Sequence, residues 1–291
     1  CEIDFNNPPP IPEPLVSING VTIGSAGNLL GITGGEGTGK SNFLGGLVAG
    51  TLKQEHQPVD SLGTEVKPNT GQKALLYYDT EQSEDQLFRN LQSVLTRAGR
   101  QHPPRWFRAY CLTHLSRQER LRVIVQSMDR FHHQYGGIHL VVIDGIGDLI
   151  RSLNDEGESV ALIEELHRLA GIYQTCILCV LHLVPSGIKL RGHLGSELQR
   201  KAAGILCIEK DTDTDVSTVK ALKVRSGSPL DVPLLANELF ADAESLSYTE
   251  LMNAIAGAME VTTRTAKNYI RFMLSQKIVT KHPVTERFVL V

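Results

Sequence analysis

GITGGEGTGKSNF, residues 31–43, sets five glycines ahead of and around one lysine and one serine. Gly34, Gly39, Lys40 and Ser41 satisfy the spacing G-x-x-x-x-G-K-[ST] of a phosphate-cradling loop. The chemistry requires those residue types. Successive N–H groups of a Gly-rich loop can converge on one anion where side chains would obstruct it. A helix starting near Lys40 adds its own free N–H groups and its positive dipole end. The loop Gly34, Gly35, Glu36, Gly37, Thr38, Gly39, Lys40, Ser41 and Asn42 is therefore the expected nucleotide cradle. Lys40 would reach the β- and γ-phosphates, and the Ser41 hydroxyl would hold Mg²⁺. An apolar strand, NLLGIT, leads in, and NFLGGLVAG leads out as a helix.

Working outward, short apolar runs alternate with helical stretches. KALLYYD, IHLVVID and TCILCVLHL read as buried strands and RWFRAYCL as another strand, with helices capped by Ser83 and Ser116 and another around Ser159 to Ala170. AAGILCIEK and VSTVKALKVRS read as a closing hairpin turning at DTDTD, and the polar stretch 53–73 as an exposed loop or hairpin. Strands apolar throughout and alternating with helices imply an α/β fold whose mostly parallel sheet is covered on both faces.

Composition is that of an ordinary globular protein: 291 residues, 41% hydrophobic, 21% charged, net charge −3. No apolar run is long enough for a transmembrane helix, so no membrane partner is expected. Five scattered cysteines imply a reducing compartment, hence a cytoplasmic location, and Cys176 and Cys179 read as small core residues of a strand. The chain opens on Cys1 and a Pro-rich run, which suggests a linker over 1–14 and the interior of a longer protein. From Val261 to Val291 six basic residues face Glu286 as the one acid, a charge asymmetry that points to an anionic partner.

Two carboxylates are placed to serve the phosphate loop. Asp144 ends a buried strand expected to lie next to that loop and would share Mg²⁺ with Ser41, while Gly145 and Gly147 let the chain turn away. Hydrolysis also needs a group that orients water toward the γ-phosphate. Glu81 is a candidate because it follows the strand expected to neighbour the loop, and spacing alone leaves Asp79, Glu84 and Asp85 in competition.

YYDTEQSE, LVVIDGIGDLI and ILCVLHL, in this order and spacing, resemble the RecA-type ATPase core, nearest to the RepA-type hexameric replicative helicases of plasmids and mobile elements. The resemblance covers about residues 15 to 232. It implies ATP and Mg²⁺, selects Glu81 as the group that activates water, and gives His182, ending the next strand, the role of γ-phosphate sensor. Lys223 and Arg225, two apart in KVRSG and so on one strand face, match the K-x-R that reaches a neighbour's nucleotide in a homo-oligomeric, hexameric ring. Lys189, Arg191 and His193 lie in residues 183–198, which read as a mobile basic loop gripping single-stranded DNA.

The tail, 247–291 after a linker over 233–246, resembles a winged helix-turn-helix. It has helices at Tyr248 to Ala258 and from Arg264, and a wing of IVTKHP and ERFVLV. In that geometry Arg264, Thr265, Lys267, Asn268 and Arg271 face DNA. Such a module also serves as a contact for other replication proteins. The expectation is a Mg-ATP-dependent DNA helicase or translocase serving replication or mobilisation of a plasmid or mobile element. A RecA-like recombination or repair ATPase, an ATP-switched DNA-binding regulator and a small-molecule kinase are the competing classes.

Overall fold

The computed structural model describes residues 4–8, 11–18, 20–54, 58–182, 190–210, 217–225, 239–240, 243–258, 262–275 and 277–291, apart from the side chains of Ala258, Thr265, Asn268, Phe272 and Ser275. The chain divides into two compact units, Cys1–Ser226 and Gly227–Val291.

In the first unit the elements run β1 (Pro14–Ile18), β2 (Val21–Ser25), β3 (Leu29–Gly34), α1 (Lys40–Leu52), β4 (Glu65–Val66), β5 (Ala74–Asp79), α2 (Glu84–Arg97) and β6 (Phe107–Cys111). They continue with α3 (Arg117–Tyr135), β7 (Ile138–Asp144), a short 3-10 helix (Ile146–Leu149), α4 (Glu156–Tyr173), β8 (Cys176–His182), α5 (Gly192–Lys201), β9 (Gly204–Lys210) and β10 (Ser217–Val224). Seven strands form one sheet in the order β10-β9-β3-β8-β7-β5-β6, parallel except for β10. This is the α/β architecture with a mostly parallel, helix-flanked sheet that the apolar runs imply. Every residue of β3 and β5 is buried, as two covered faces demand.

Local chemistry accounts for the helix starts. The Ser83 hydroxyl accepts the Gln86 N–H ahead of α2, and Ser116 with Glu119 forms a reciprocal capping box on α3. The helix expected around Ser159 extends beyond both of its expected ends; it starts earlier because Asp155 caps it by accepting the Glu158 N–H. The polar stretch after α1 contributes β4, which pairs with β1 to complete a small antiparallel sheet, β2-β1-β4.

Two expectations are corrected. Residues 183–198 are not one loop: α5 begins at Gly192, and Leu190, Leu194 and Leu198 bury an apolar stripe at four-residue spacing. The basic residues and glycines nearby masked that stripe. Neither β5 nor β7 neighbours the phosphate-loop strand; β3 pairs with β8 and β9, so β8 separates it from β7 and both β8 and β7 separate it from β5. Cys176 and Cys179 are buried in β8, and burial pushes both thiols up, Cys176 to about 12.

The second unit contains α6 (Tyr248–Ala258), α7 (Thr263–Ser275), β11 (Val279–Lys281) and β12 (Phe288–Leu290), the last two antiparallel. Leu251, Ile255, Ala266, Ile270, Met273, Val279 and Phe288 build its core. Arg264, Lys267 and Arg271 are exposed on α7.

Candidate nucleotide site

The carboxyl ends of the parallel strands carry the candidate residues. After β3 the chain turns through Gly37 and Gly39, whose φ values of 68° and 92° lie where side chains are disfavoured. A Cβ on Gly34 would meet the Ile208 carbonyl oxygen at 2.5 Å, so this backbone passes too close to β9 for any side chain. The Thr38 hydroxyl donates to the Gly35 carbonyl at 3.0 Å and ties the loop. Gly39 is the N-cap of α1 and brings no side chain to its first turn, so the free N–H groups there remain open to an anion.

Lys40 folds back over this loop and donates to the carbonyls of Gly34, at 3.0 Å, and Gly35. Burial lowers its pKa, opposed by the charges of Glu81, Asp144 and Glu36. Ser41 and Asn42 are exposed, and Asn42 accepts hydrogen bonds from Arg97 of α2 through both its side chain, at 2.7 Å, and its carbonyl.

Strand register sets the depth of each carboxylate. Asp79 pairs with Asp144, Asp144 with Val180, and Gly34 with His182. Asp144 is 7% exposed, and its Oδ2 accepts the Tyr77 hydroxyl at 3.0 Å. Burial, and then the charge of Asp79, push its carboxyl up to about 7. Asp79 is fully buried and spends its oxygens on the turn: Oδ1 accepts the N–H groups of Glu81 and Gln82, and Oδ2 accepts the Gln82 amide. It anchors the loop that carries Glu81. Asp85 lies in the first turn of α2 and pairs with Arg89 at 2.6 Å.

Glu81 crosses the end of β7 to reach the end of β8. Both of its carboxylate oxygens lie 3.1 Å from His182 Nε2. The crossing passes over Gly145, where φ is +97° and a Cβ would sit 2.9 Å from Glu81 Cγ and 2.2 Å from Thr80 Oγ1. Thr80 donates its hydroxyl to the Gly145 carbonyl at 2.8 Å and closes this corner. The hydrogen bond to His182 holds the Glu81 carboxyl below the usual carboxylate range, and the same bond raises the His182 imidazole. A cleft of about 1070 Å³ opens beside the pair and also touches Arg117, Arg151 and Arg191.

Lys223 and Arg225 are elsewhere. They share a strand face, as their spacing implies, and donate to carbonyls at the end of α5: Lys223 to Gln199 and Arg200, Arg225 to Arg200 and Lys201. The start of β10 approaches the phosphate loop, since a Cβ on Gly39 would lie 3.2 Å from Ser217 Oγ. Arg225 is eight residues farther along, roughly 26 Å at the rise of a strand. It stands at the opposite edge of the sheet from the loop of its own chain, because Val224 pairs with Gly204 at the start of β9.

Arg191 is the N-cap of α5, His193 is exposed in its first turn, and Lys189 lies outside the described residues. The side chain of Asn268 is also outside them. Sequence reasoning passed over Tyr77, Thr80 and Gln82. For Tyr77 a signal existed: a phenol inside an all-apolar strand needs a hydrogen-bond partner.

No curated protein matches the chain. Residues 2–184, more than half of the chain and including β3, the phosphate loop, Glu81, Asp144 and His182, match the family described as an AAA domain. The chain thus belongs to the AAA domain family, and its core is that of a P-loop ATPase.

Proposed function

We propose that the chain is a Mg-ATP-dependent DNA translocase or helicase that works as a ring of identical subunits. The observation that carries this reading is the bond between Glu81 and His182 at the mouth of the phosphate loop. It joins a carboxylate suited to activating water with a titratable group on the strand adjacent to the loop.

The family implies a nucleotide and a divalent cation, and the residues present fit both. The first turn of α1 has no side-chain cap to occupy its N–H groups, and the Ser41 hydroxyl and Asp144 carboxylate are hard oxygen donors. Among the described residues no cluster of three or more His, Cys, Asp or Glu forms a cage by itself. That suits Mg²⁺ held by one hydroxyl, one carboxylate, phosphates and water. When bound, the cation neutralises charge on the phosphate oxygens.

The work of the chain's own residues follows. Lys40 exchanges the Gly34 and Gly35 carbonyls for phosphate oxygens. Glu81, released from His182, accepts the proton of the attacking water. His182 loses its partner as Glu81 turns, which makes it the sensor of the phosphate's state. Arg225 and Lys223 stand too far from their own loop to act on it, so a neighbouring subunit's nucleotide is their target. We read residues 15–232 as the motor, flanked by linkers over 1–14 and 233–246. In 247–291 we read a winged helix that offers Arg264, Lys267, Asn268 and Arg271 to DNA.

ATP turnover with and without single-stranded DNA, over a range of protein concentrations, tests the reading in the wild type and Arg225→Ala. DNA stimulation, activity per subunit that climbs with concentration, and loss on substitution are expected. Slow, DNA-blind turnover that survives Arg225→Ala would remove the ring motor and favour an ATP-switched regulator.

A further inference from the structure

Tyr77 is 6% exposed in a strand that is otherwise aliphatic up to its tyrosine neighbour, and its hydroxyl is spent on one atom, Asp144 Oδ2. Tyr77 also lines a cavity of about 280 Å³ whose wall includes Ser41, Asn42 and Gly45 of α1 and Asn90 and Val94 of α2. The phenol is thus bonded to one of the two residues assigned to the cation, and Tyr77 lines a cavity together with the other. A phenylalanine would fill the same apolar space without carrying a polar atom into it. A carboxylate at the end of a strand can rotate about its last torsion, and a donor fixed to one oxygen leaves the other aimed in a single direction.

We propose that Tyr77 is a positioning residue for the divalent cation: its hydroxyl holds the Asp144 carboxylate so that Oδ1 faces the side of the site where Ser41 lies. This rests on the reading of Asp144 as the cation's carboxylate. Tyr77 touches neither nucleotide nor cation and acts through Asp144 alone.

The test uses Mn²⁺ as the probe, titrated by electron paramagnetic resonance into the full chain with a non-hydrolysable ATP analogue. Four proteins are compared: wild type, Tyr77→Phe, Asp144→Asn and the double variant. Tyr77→Phe should weaken Mn²⁺ binding roughly 10-fold, the scale of an outer-shell partner. It should add no further loss in the Asp144→Asn background. The half-saturating Mg²⁺ for ATP turnover should rise by the same factor, with turnover at saturating Mg²⁺ kept to within about twofold. Mn²⁺ binding untouched by Tyr77→Phe but weakened by Asp144→Asn would overturn the inference and leave the function standing. So would a loss of equal size in both backgrounds, or a lowered metal-free melting temperature with unchanged Mn²⁺ binding, which is what packing alone produces. If Asp144→Asn itself leaves Mn²⁺ binding intact, the assignment of the cation site fails as well.

Discussion

Glu81 and His182 lie 3.1 Å apart although they leave strands separated by β7, and Gly145, the residue after β7, is what the carboxylate passes over. In this arrangement both carboxylate oxygens of Glu81 lie within hydrogen-bond distance of His182 Nε2. On the proposed reading Glu81 turns from His182 toward the attacking water, so the pair would have to part before turnover.

Glu81→Gln should bind nucleotide as the wild type does and lose about 10²- to 10⁴-fold in turnover, the range of a general base. Nucleotide affinity and steady-state hydrolysis, measured side by side, check this. Activity kept near the wild-type level would pass the role to another group.

The pair should also give turnover a pH limb. The Glu81 pKa is depressed, so its half of the pair is present above the ordinary glutamate value and is lost as pH falls through the lowered one. The His182 pKa is raised, so its half is complete below the ordinary imidazole value, about 6.5, and is lost as pH rises through the raised one. Basal hydrolysis should climb as pH passes above the raised His182 value and frees Glu81. The limb should vanish in His182→Gln; a profile of kcat against pH in both proteins decides, and persistence of the limb in the variant would assign it elsewhere.

Gly145→Ala tests the corner. The backbone there has φ of +97°, and the added methyl collides with Thr80 and Glu81. A loss of about 1–3 kcal/mol is expected from the backbone conformation, with hydrolysis reduced further than nucleotide binding. Denaturant unfolding and turnover together check it. Wild-type stability with full activity would mean that the corner relaxes freely.

The proposed sharing of the site between subunits makes a distinct prediction for mixtures. Lys40→Ala lacks the loop cation and Arg225→Ala lacks the cation proposed to reach the neighbour, so each alone should be inactive. Mixed subunits should regain turnover, because some interfaces combine an intact loop with an intact arginine. Mixtures as inactive as their parts would place Arg225 in the support of α5, whose terminal carbonyls it holds.

The sequence by itself determined the elements that depend on near neighbours along the chain. The phosphate loop, the caps at Ser83 and Ser116, the all-apolar strands and the closing hairpin are local facts, fixed by φ preference, side chain to backbone hydrogen bonds and periodicity over a few residues. It also marked Asp144, Glu81 and His182 as polar residues at or just past strand ends. What it could not supply was the order of those strands. Fully buried strands look alike in sequence, and their ladders are made by backbone groups common to every residue. Only the packed sheet decided that β8 lies between β3 and β7, and with it that His182 stands beside Gly34 and meets Glu81 across Gly145. The bond from Tyr77 to Asp144, 67 residues apart, and the seating of Lys223 and Arg225 on the end of α5 were likewise settled in three dimensions. Each joins groups that only the register of neighbouring strands and the packing of a helix bring within reach.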